Sequence, residues 1–306
     1  MREFTVFTHR RPEETTPALL RLAQLAAEAD VKLRLDERET RRHGLTDRPG
    51  LELNASIKDD VELCIALGGD GTILRALRIY RGTEVPVFAI NFGEIGFLAT
   101  VEPEELDEGM RRALHGEFEL LRLPAIVLAG EGLDSPVPPA SREAASEREQ
   151  DVEHPGLAGQ AAVNDVAIHR KVGERVAELA YAIEGEEVGS VRCDGLVVST
   201  PAGSTGYNLA NGGPVMAWGV EGFVVSFIAP HSLTARALVV APGDRLTIHN
   251  RSGEPLDVAV DGRPAGEIPA GGQIDARFVG EIGTIAQLPG SSFYRRLREK
   301  FGRLAS

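Results

Sequence analysis

Residues 61–77 read VELCIALGGDGTILRAL. The first seven form a nearly continuous apolar run. A strand covered on both faces reads this way, whereas a half-exposed strand alternates. The spacing predicts a buried strand over 61–67. Ile73, Leu74, Leu77 and Ile79 fit a short helix. Between strand and helix lies the turn GGDGT. Working outward, EFTVFTH (3–9) reads as a strand, and residues 13–29 place Leu19, Leu20, Leu22, Leu25 and Ala26 at helical spacing. VKLRL (31–35) and VPVFAI (85–90) read as further strands, and 103–115 as a helix. Strand and helix alternate, as in an α/β domain with a parallel, doubly wound sheet.

From about residue 118 the pattern changes. PAIVLA (124–129), AAVNDVAIH (161–169), VAELAYAIE (176–184), GLVVST (195–200), GFVVSFIA (222–229), DRLTIHN (244–250), LDVAVDG (256–262) and QIDARFVG (273–280) all read as strands. Gly- and Pro-rich turns separate them. This predicts a mainly antiparallel β domain. The expected boundaries are 1–123, 124–280 and a C-terminal segment 281–306. Residues 130–159 lack aromatic residues and are rich in Pro, Ser and Glu, which predicts a mobile insertion. SSFYRRLREKFGRL (291–304) has Phe293, Leu297 and Phe301 at spacing four behind a capping serine, which predicts a helix.

The chain has 306 residues and a formal net charge of −13, and only four of its 33 basic residues are lysine. Such an acidic chain argues against general binding to nucleic acid or to anionic membrane. Cys64 and Cys193 have no metal or redox spacing. The N-terminus lacks the apolar core of a signal peptide, and no apolar run is long enough to cross a bilayer. A soluble, cytoplasmic protein is expected.

Several stretches carry candidate chemistry. In an open α/β sheet, ligands bind beyond the carboxyl ends of the strands, where Gly68, Gly69, Asp70, Gly71 and Thr72 lie. Glycines admit close backbone approach, and a helix N-terminus attracts anions. Asp70 can serve as a base, a hydroxyl anchor or a metal ligand, or it can cap a helix beginning at Thr72. Phe92 and Phe97 in NFGEIGFLAT (91–100) either flank an aromatic ligand or pack the core. Asn164 and Asp165 interrupt an apolar strand, where neighbours point to opposite faces; a bulge or a site is implied. RCDGLVVSTPAGSTGYNLANGGPV (192–215) combines Asp194 with Ser199, Thr200, Ser204, Thr205, Tyr207 and Asn208. This density suits a polar, ring-bearing ligand, or helix capping at Ser204 or Thr205. VDGRP (260–264) reads as a hairpin turn, and His169 as a surface residue at a strand end.

Taken together, GGDGTIL, NFGEIGFL, VNDV, DGLVVSTPAGSTGYNLANGGP and HSLTARALV, in this order over residues 66–240, resemble the NAD kinase family. GGDGT alone is shared with diacylglycerol and sphingosine kinases. The resemblance implies an α/β domain, a β domain that binds NAD, and a C-terminal segment that packs back on the first domain. It also implies transfer of the γ-phosphoryl of ATP, or of a phosphoryl from polyphosphate, to the 2′-hydroxyl of the adenosine ribose of NAD. Mg²⁺ is the implied cation, held largely by substrate phosphates.

By the same resemblance, Asp70 is catalytic and accepts the proton of that hydroxyl. Gly68, Gly69, Gly71 and Thr72 form the phosphate loop, with Gly71 and Phe97 also beside NAD. Asn164 reads the adenine edge, Asp165 a ribose hydroxyl and Asp194 the nicotinamide amide. Thr205 and Tyr207 contact adenine and its ribose, Ala202 lies beside adenine, and Arg192 orders the site. Ala229 falls where a neighbouring subunit meets the nicotinamide end, which implies a homodimer or homotetramer. Three residues depart from the family pattern: Asp165 replaces the usual Glu, Ala202 a Thr or Ser, and Gly206 an Ala. They bear on the choice between NAD and NADH. The alternatives are a lipid kinase of the same superfamily and a non-catalytic nucleotide sensor.

Overall fold

The computed structural model describes residues 1–93, 96–133 and 160–302. Most of the expected insertion, 134–159, lies outside the described residues. The described chain forms two compact units, residues 1–122 with 283–302, and residues 123–133 with 160–282.

The first unit contains β1 (Arg2–Thr8), α1 (Pro12–Glu28), β2 (Val31–Arg34), α2 (Glu37–His43), β3 (Leu51–Glu52), β4 (Leu63–Leu67), α3 (Asp70–Ile79), β5 (Val87–Ile90) and α4 (Leu106–Leu114). Its strands are parallel and ordered β5-β4-β1-β2-β3. The apolar run at 61–67 contains β4, and all five of its residues are buried. The chain builds β1, β2 and β3 toward one side, then returns to place β4 and β5 on the other. The strand order therefore reverses between β1 and β4. Ligands of open α/β sheets bind beyond the carboxyl ends of the strands at such a reversal, and the GGDGT turn leaves β4 there.

The core of this unit is aliphatic, with Leu19, Leu22, Leu33, Leu63 and Ile65 fully buried around Phe4 and Phe88. Truncating Ile65 to Ala would cost about 2–5 kcal/mol. Tyr80 is buried but satisfied, its hydroxyl donating to Thr5 Oγ1 at 2.7 Å.

The second unit contains most of β6 (Glu119–Gly130), then β7 (Gln160–Ala162), β8 (Asp165–Arg170), β9 (Ala177–Ile183), β10 (Glu186–Cys193), β11 (Gly195–Ser199), α5 (Tyr207–Ala210), β12 (Phe223–Ile228), β13 (Leu238–Val240), β14 (Arg245–Asn250), β15 (Leu256–Val260), β16 (Arg263–Ile268) and the first part of β17 (Gln273–Gln287). One antiparallel sheet runs β13-β12-β11-β8-β15-β16. Another set runs β10-β9-β14-β17. Alternate residues face a shared core: Val166, Ile168, Leu196, Val198 and Val225 from the first, Leu179, Leu246, Ile248 and Ala276 from the second.

The strand expected over 161–169 is broken. β7 ends at Ala162 and β8 starts at Asp165, leaving Val163 and Asn164 outside regular pairing. The VDGRP turn joins β15 to β16, with Asp261 and Gly262 both at positive φ (47° and 74°), as a tight hairpin requires.

After residue 283 the chain belongs to the first unit again. Ile285 of β17 pairs in parallel with Val87 of β5. The final helix, α6 (Phe293–Phe301), lays Phe293 and Phe301 against Phe97, each with ring centroids 5.7 Å apart. Ser292 stands at its N-cap position but makes no side-chain cap bond.

Candidate active site

In the first unit the site is built from two crossing segments. Gly68 continues the pairing of β4 with β5, its N–H donating to Ile90 O at 3.0 Å. Gly69 then passes against Gly93. A Cβ on Gly93 would stand 2.7 Å from Gly69 Cα, so neither position tolerates a side chain without a shift. Gly71 differs. It is exposed in the first turn of α3, and a Cβ there would meet nothing within 4 Å. Glycine inside a helix costs about 1 kcal/mol relative to alanine. Packing gives no reason to accept that cost, whereas a ligand approaching the backbone does.

Asp70 is the first residue of α3, with Gly69 as N-cap, and no side chain caps this helix. The cap reading of Asp70 is therefore corrected. Its carboxylate turns to the other segment instead. Oδ1 accepts from Leu98 N–H at 2.9 Å, and Oδ2 from Phe97 N–H at 3.2 Å. Each carboxylate oxygen keeps a further lone pair. The helix start remains available to an anion while the carboxylate is held in a fixed orientation. Thr72 is buried behind the turn, its N–H bonded to Gly69 O at 2.9 Å.

The Phe97 ring is enclosed by Phe293 and Phe301, so its tie to Asp70 runs through the amide. Asn91 fixes the same segment. Its Oδ1 accepts from Gly93 N–H at 3.0 Å, and its Nδ2 donates to Glu102 at 2.9 Å. Arg296 of α6 donates to Phe97 O at 2.8 Å. Burial pushes its guanidinium down to about 10, against the opposing pull of Asp70 and Glu102.

Beside these segments, at the end of β1, sits a charged network that the sequence reading did not find. The fully buried Glu39 accepts from Thr8 Oγ1 (2.6 Å), Arg42 (2.8 Å) and Arg75 of α3 (2.8 Å). No period or motif marks it, because its members come from three elements.

In the second unit, Asp261 organises the broken strand. Its carboxylate accepts from Val163 (3.1 Å), Asn164 (2.7 Å) and Asp165 (3.3 Å) N–H groups. VDGRP is thus a turn and also an anchor, a role its hairpin signature could not reveal. Asn164 Oδ1 is buried and lacks a hydrogen-bond partner. Burial, with Asp261 nearby, raises the Asp165 carboxyl to about 7. Asp165 thus sits near the midpoint of its titration at neutral pH, able to donate or accept.

The hydroxyl-rich stretch 199–208 is mostly turned inward. Thr200 Oγ1 donates to Val163 O (2.6 Å) and accepts from Gly203 N–H (3.1 Å). Ser204 Oγ donates to Pro201 O (2.7 Å) and accepts from Met216 N–H (2.9 Å). Asn208 Nδ2 donates to Ser204 O and Pro214 O. Ser199, Thr200, Ser204 and Asn208 are all fully buried. Ala202 is buried as well, and Thr205 binds Ala202 O at 3.3 Å.

Tyr207 keeps an exposed face and stacks on His169, with centroids 5.6 Å apart. His169 is therefore a ring support, and its half-buried position lowers its basicity. Asp194 is paired with Arg170 Nε at 2.6 Å, which holds its carboxyl below the usual range. Arg192 and Ala229 are exposed, and Ala229 adopts a left-handed φ of 44°. Among the described residues no three His, Cys, Asp or Glu side chains converge to hold a metal.

A family model described as the ATP-NAD kinase N-terminal domain matches residues 14–118, and one described as the ATP-NAD kinase C-terminal domain matches 163–278. The chain is 35% identical over 243 residues to an NAD kinase of Gemmatimonas aurantiaca, covering 79% of this chain and 78% of that one. It is 30% identical to an NAD kinase of Lachnoclostridium phytofermentans over 99% of both chains. Among solved structures, yeast NADH kinase complexed with NADH matches at TM-score 0.80 and 21% identity, covering 100% of this chain and 89% of the other. An Archaeoglobus fulgidus NAD kinase in complex with ATP matches at TM-score 0.69 and 23% identity, covering 99% and 98%. These two show a shared fold. Family models over both halves, together with relatives aligned along most of the chain, establish that it belongs to the NAD kinase family.

Proposed function

We propose that Asp70 is the group that activates the 2′-hydroxyl of the adenosine ribose of NAD. Family membership gives the reaction itself: the chain phosphorylates NAD, with ATP as donor. In the proposed step, the Asp70 carboxylate accepts the hydroxyl proton as the oxygen bonds to the γ-phosphorus. The bond from that phosphorus to the β–γ bridging oxygen breaks, and ADP leaves. The carrying observation is the carboxylate held by the Phe97 and Leu98 amides beside an uncapped helix start. Phosphoryl transfer depends mostly on positioning and on neutralising charge. The start of α3 and the open space at Gly71 suit the phosphates.

Asn164, Asp165, Thr205 and Tyr207 bind the adenosine part in this reading, and Asp194 with Arg192 the nicotinamide part. Asn164 Oδ1 is suited to an adenine amino group, being a buried acceptor in need of a donor. The buried Ala202 offers only a methyl surface. Mg²⁺ accompanies the donor, with its ligands drawn mainly from phosphates and water, as is usual for this ion. Polyphosphate is a second candidate donor. Ala229, with the nearby Leu233 95% exposed, supports assembly into a homodimer or homotetramer, to be measured by light scattering. No helix of the described residues is long and apolar enough to cross a membrane, and a cytoplasmic location is proposed.

Purified protein incubated with NAD, Mg²⁺ and either ATP or polyphosphate should form NADP. Replacing Asp70 by Asn should abolish most turnover while leaving the protein folded. Unchanged turnover would remove Asp70 from the mechanism. A lipid kinase would share GGDGT but not the segment that matches the C-terminal NAD kinase domain. Binding of NAD with no turnover on either donor would instead favour a nucleotide sensor.

A further inference from the structure

The C-terminal helix grips the segment that grips Asp70. Four residues of α6 make this contact with side chains of different chemistry. Phe293 and Phe301 enclose the Phe97 ring. Arg296, only 9% exposed, donates to the Phe97 carbonyl at 2.8 Å. Lys300 pairs with Glu102, which accepts from Asn91, which in turn accepts from Gly93 opposite Gly69. Residues 293, 296, 300 and 301 fall on one face of a helix. The peptide they fix supplies the two amides that bind the Asp70 carboxylate.

A buried arginine is an expensive way to hold a carbonyl. Burying a guanidinium costs solvation that its bond to one carbonyl does not by itself recover. A neutral donor would hold the same carbonyl more cheaply. The charge gains a purpose from its neighbours, because Asp70 and Glu102 are the leading charges that favour it. Glu102 is already paired with Lys300.

We propose that Arg296 is a positioning residue for phosphoryl transfer, fixing through the Phe97 carbonyl the peptide whose amides aim the Asp70 carboxylate. The proposal rests on the reading of Asp70 given above. In this proposal Arg296 acts on the reacting atoms through residues 97 and 98. Misplacing a catalytic group by about an ångström can cost on the order of a hundredfold in rate. The effect therefore belongs in kcat, and substrate affinity is spared.

The test uses the full chain and a double-mutant cycle. Arg296→Met removes charge and donor but keeps an apolar stem. It should lower kcat by about tenfold or more, with the KM values for NAD and ATP within about twofold. Arg296→Lys keeps the charge and a donor and should restore most of the rate. Combined with Asp70→Asn, Arg296→Met should cost less than about twofold further, because the group it positions is already disabled. Circular dichroism and thermal melting confirm folding. If the Met variant does not fold, Arg296→Gln takes its place against Arg296→Lys.

Additive losses in the double variant would overturn the proposal while leaving the Asp70 role intact. So would a rise in both KM values at constant kcat. If Asp70→Asn alone retains full turnover, the Asp70 reading falls first. The two failures are thus distinguishable.

Discussion

The turns 68–72 and 199–208 make an instructive pair. Each follows a fully buried strand, β4 in one unit and β11 in the other. The first is almost bare of side chains. Its backbone runs hard against Gly93, it leaves open space at Gly71, and its one carboxylate is aimed by amides from another segment. The second is crowded with polar side chains, yet Ser199, Thr200, Ser204 and Asn208 are fully buried and bonded to backbone groups. Their hydroxyls and amide stand in for a missing helix or sheet ladder. The number of polar groups in a turn is therefore a poor count of the groups that meet a ligand. The sparse turn leaves more backbone and open space uncommitted than the rich one.

The comparison breaks first at Asp70. Asp70→Asn should lower turnover by about 10²–10⁴-fold, the usual weight of a proton-transferring group, with NAD affinity by calorimetry nearly unchanged. Next comes Asp165. The folded protein keeps its proton up to about pH 7, well above the unfolded value, so stability should fall as pH rises from about 4 to about 7. The drop should be on the order of 3 kcal/mol, and urea titrations of Asp165→Asn should show it abolished.

Thr200→Val tests whether the second turn is scaffold. It strips a buried donor–acceptor from Val163 and Gly203, and should cost about 1–3 kcal/mol in denaturant melts. Loss of NAD affinity at unchanged stability would instead make Thr200 a ligand contact. The smallest effect on stability is expected at Gly71. Gly71→Ala should raise stability by up to about 1 kcal/mol while lowering activity, since its methyl would fill the open space that the proposed site gives to the phosphates. An active, stabilised variant would show that the space has no such use.

The sequence displayed what repeats locally. β4, with β1 and β5 beside it, was legible as apolar runs, and α1 as a helical period. The strands of the second unit were legible where they lie inside a sheet. Edge elements were not. β10 is largely exposed and reads as a polar segment, and β16 carries Pro264 and Gly266, which an edge tolerates. α2, ERETRRH, has no apolar residue at all; its amphipathic signal is replaced by the buried ion pairs of Glu39.

At the site, Asp70 was visible as an oddity in a glycine turn, and the Asn164–Asp165 pair as a break in a strand. Their supports were not visible. Asp261 lies 96 residues from Asp165, and Arg296 lies 199 residues from Phe97. Partners so distant in sequence leave no period or spacing to read.

The pairing of Ile285 with Val87 has a consequence for synthesis. While the chain is being made, residues 100 and 101 bond to Ala89 and Asn91 on the side of β5 away from β4, and what stays open on that side is Val87. Its partner arrives only after the whole second unit has been translated. Until then the nascent protein carries a short unpaired edge at the start of β5, the kind of surface that recruits other strands. A segment made after the second unit thus closes a strand made before it, and a chain cut before residue 283 would leave that gap open.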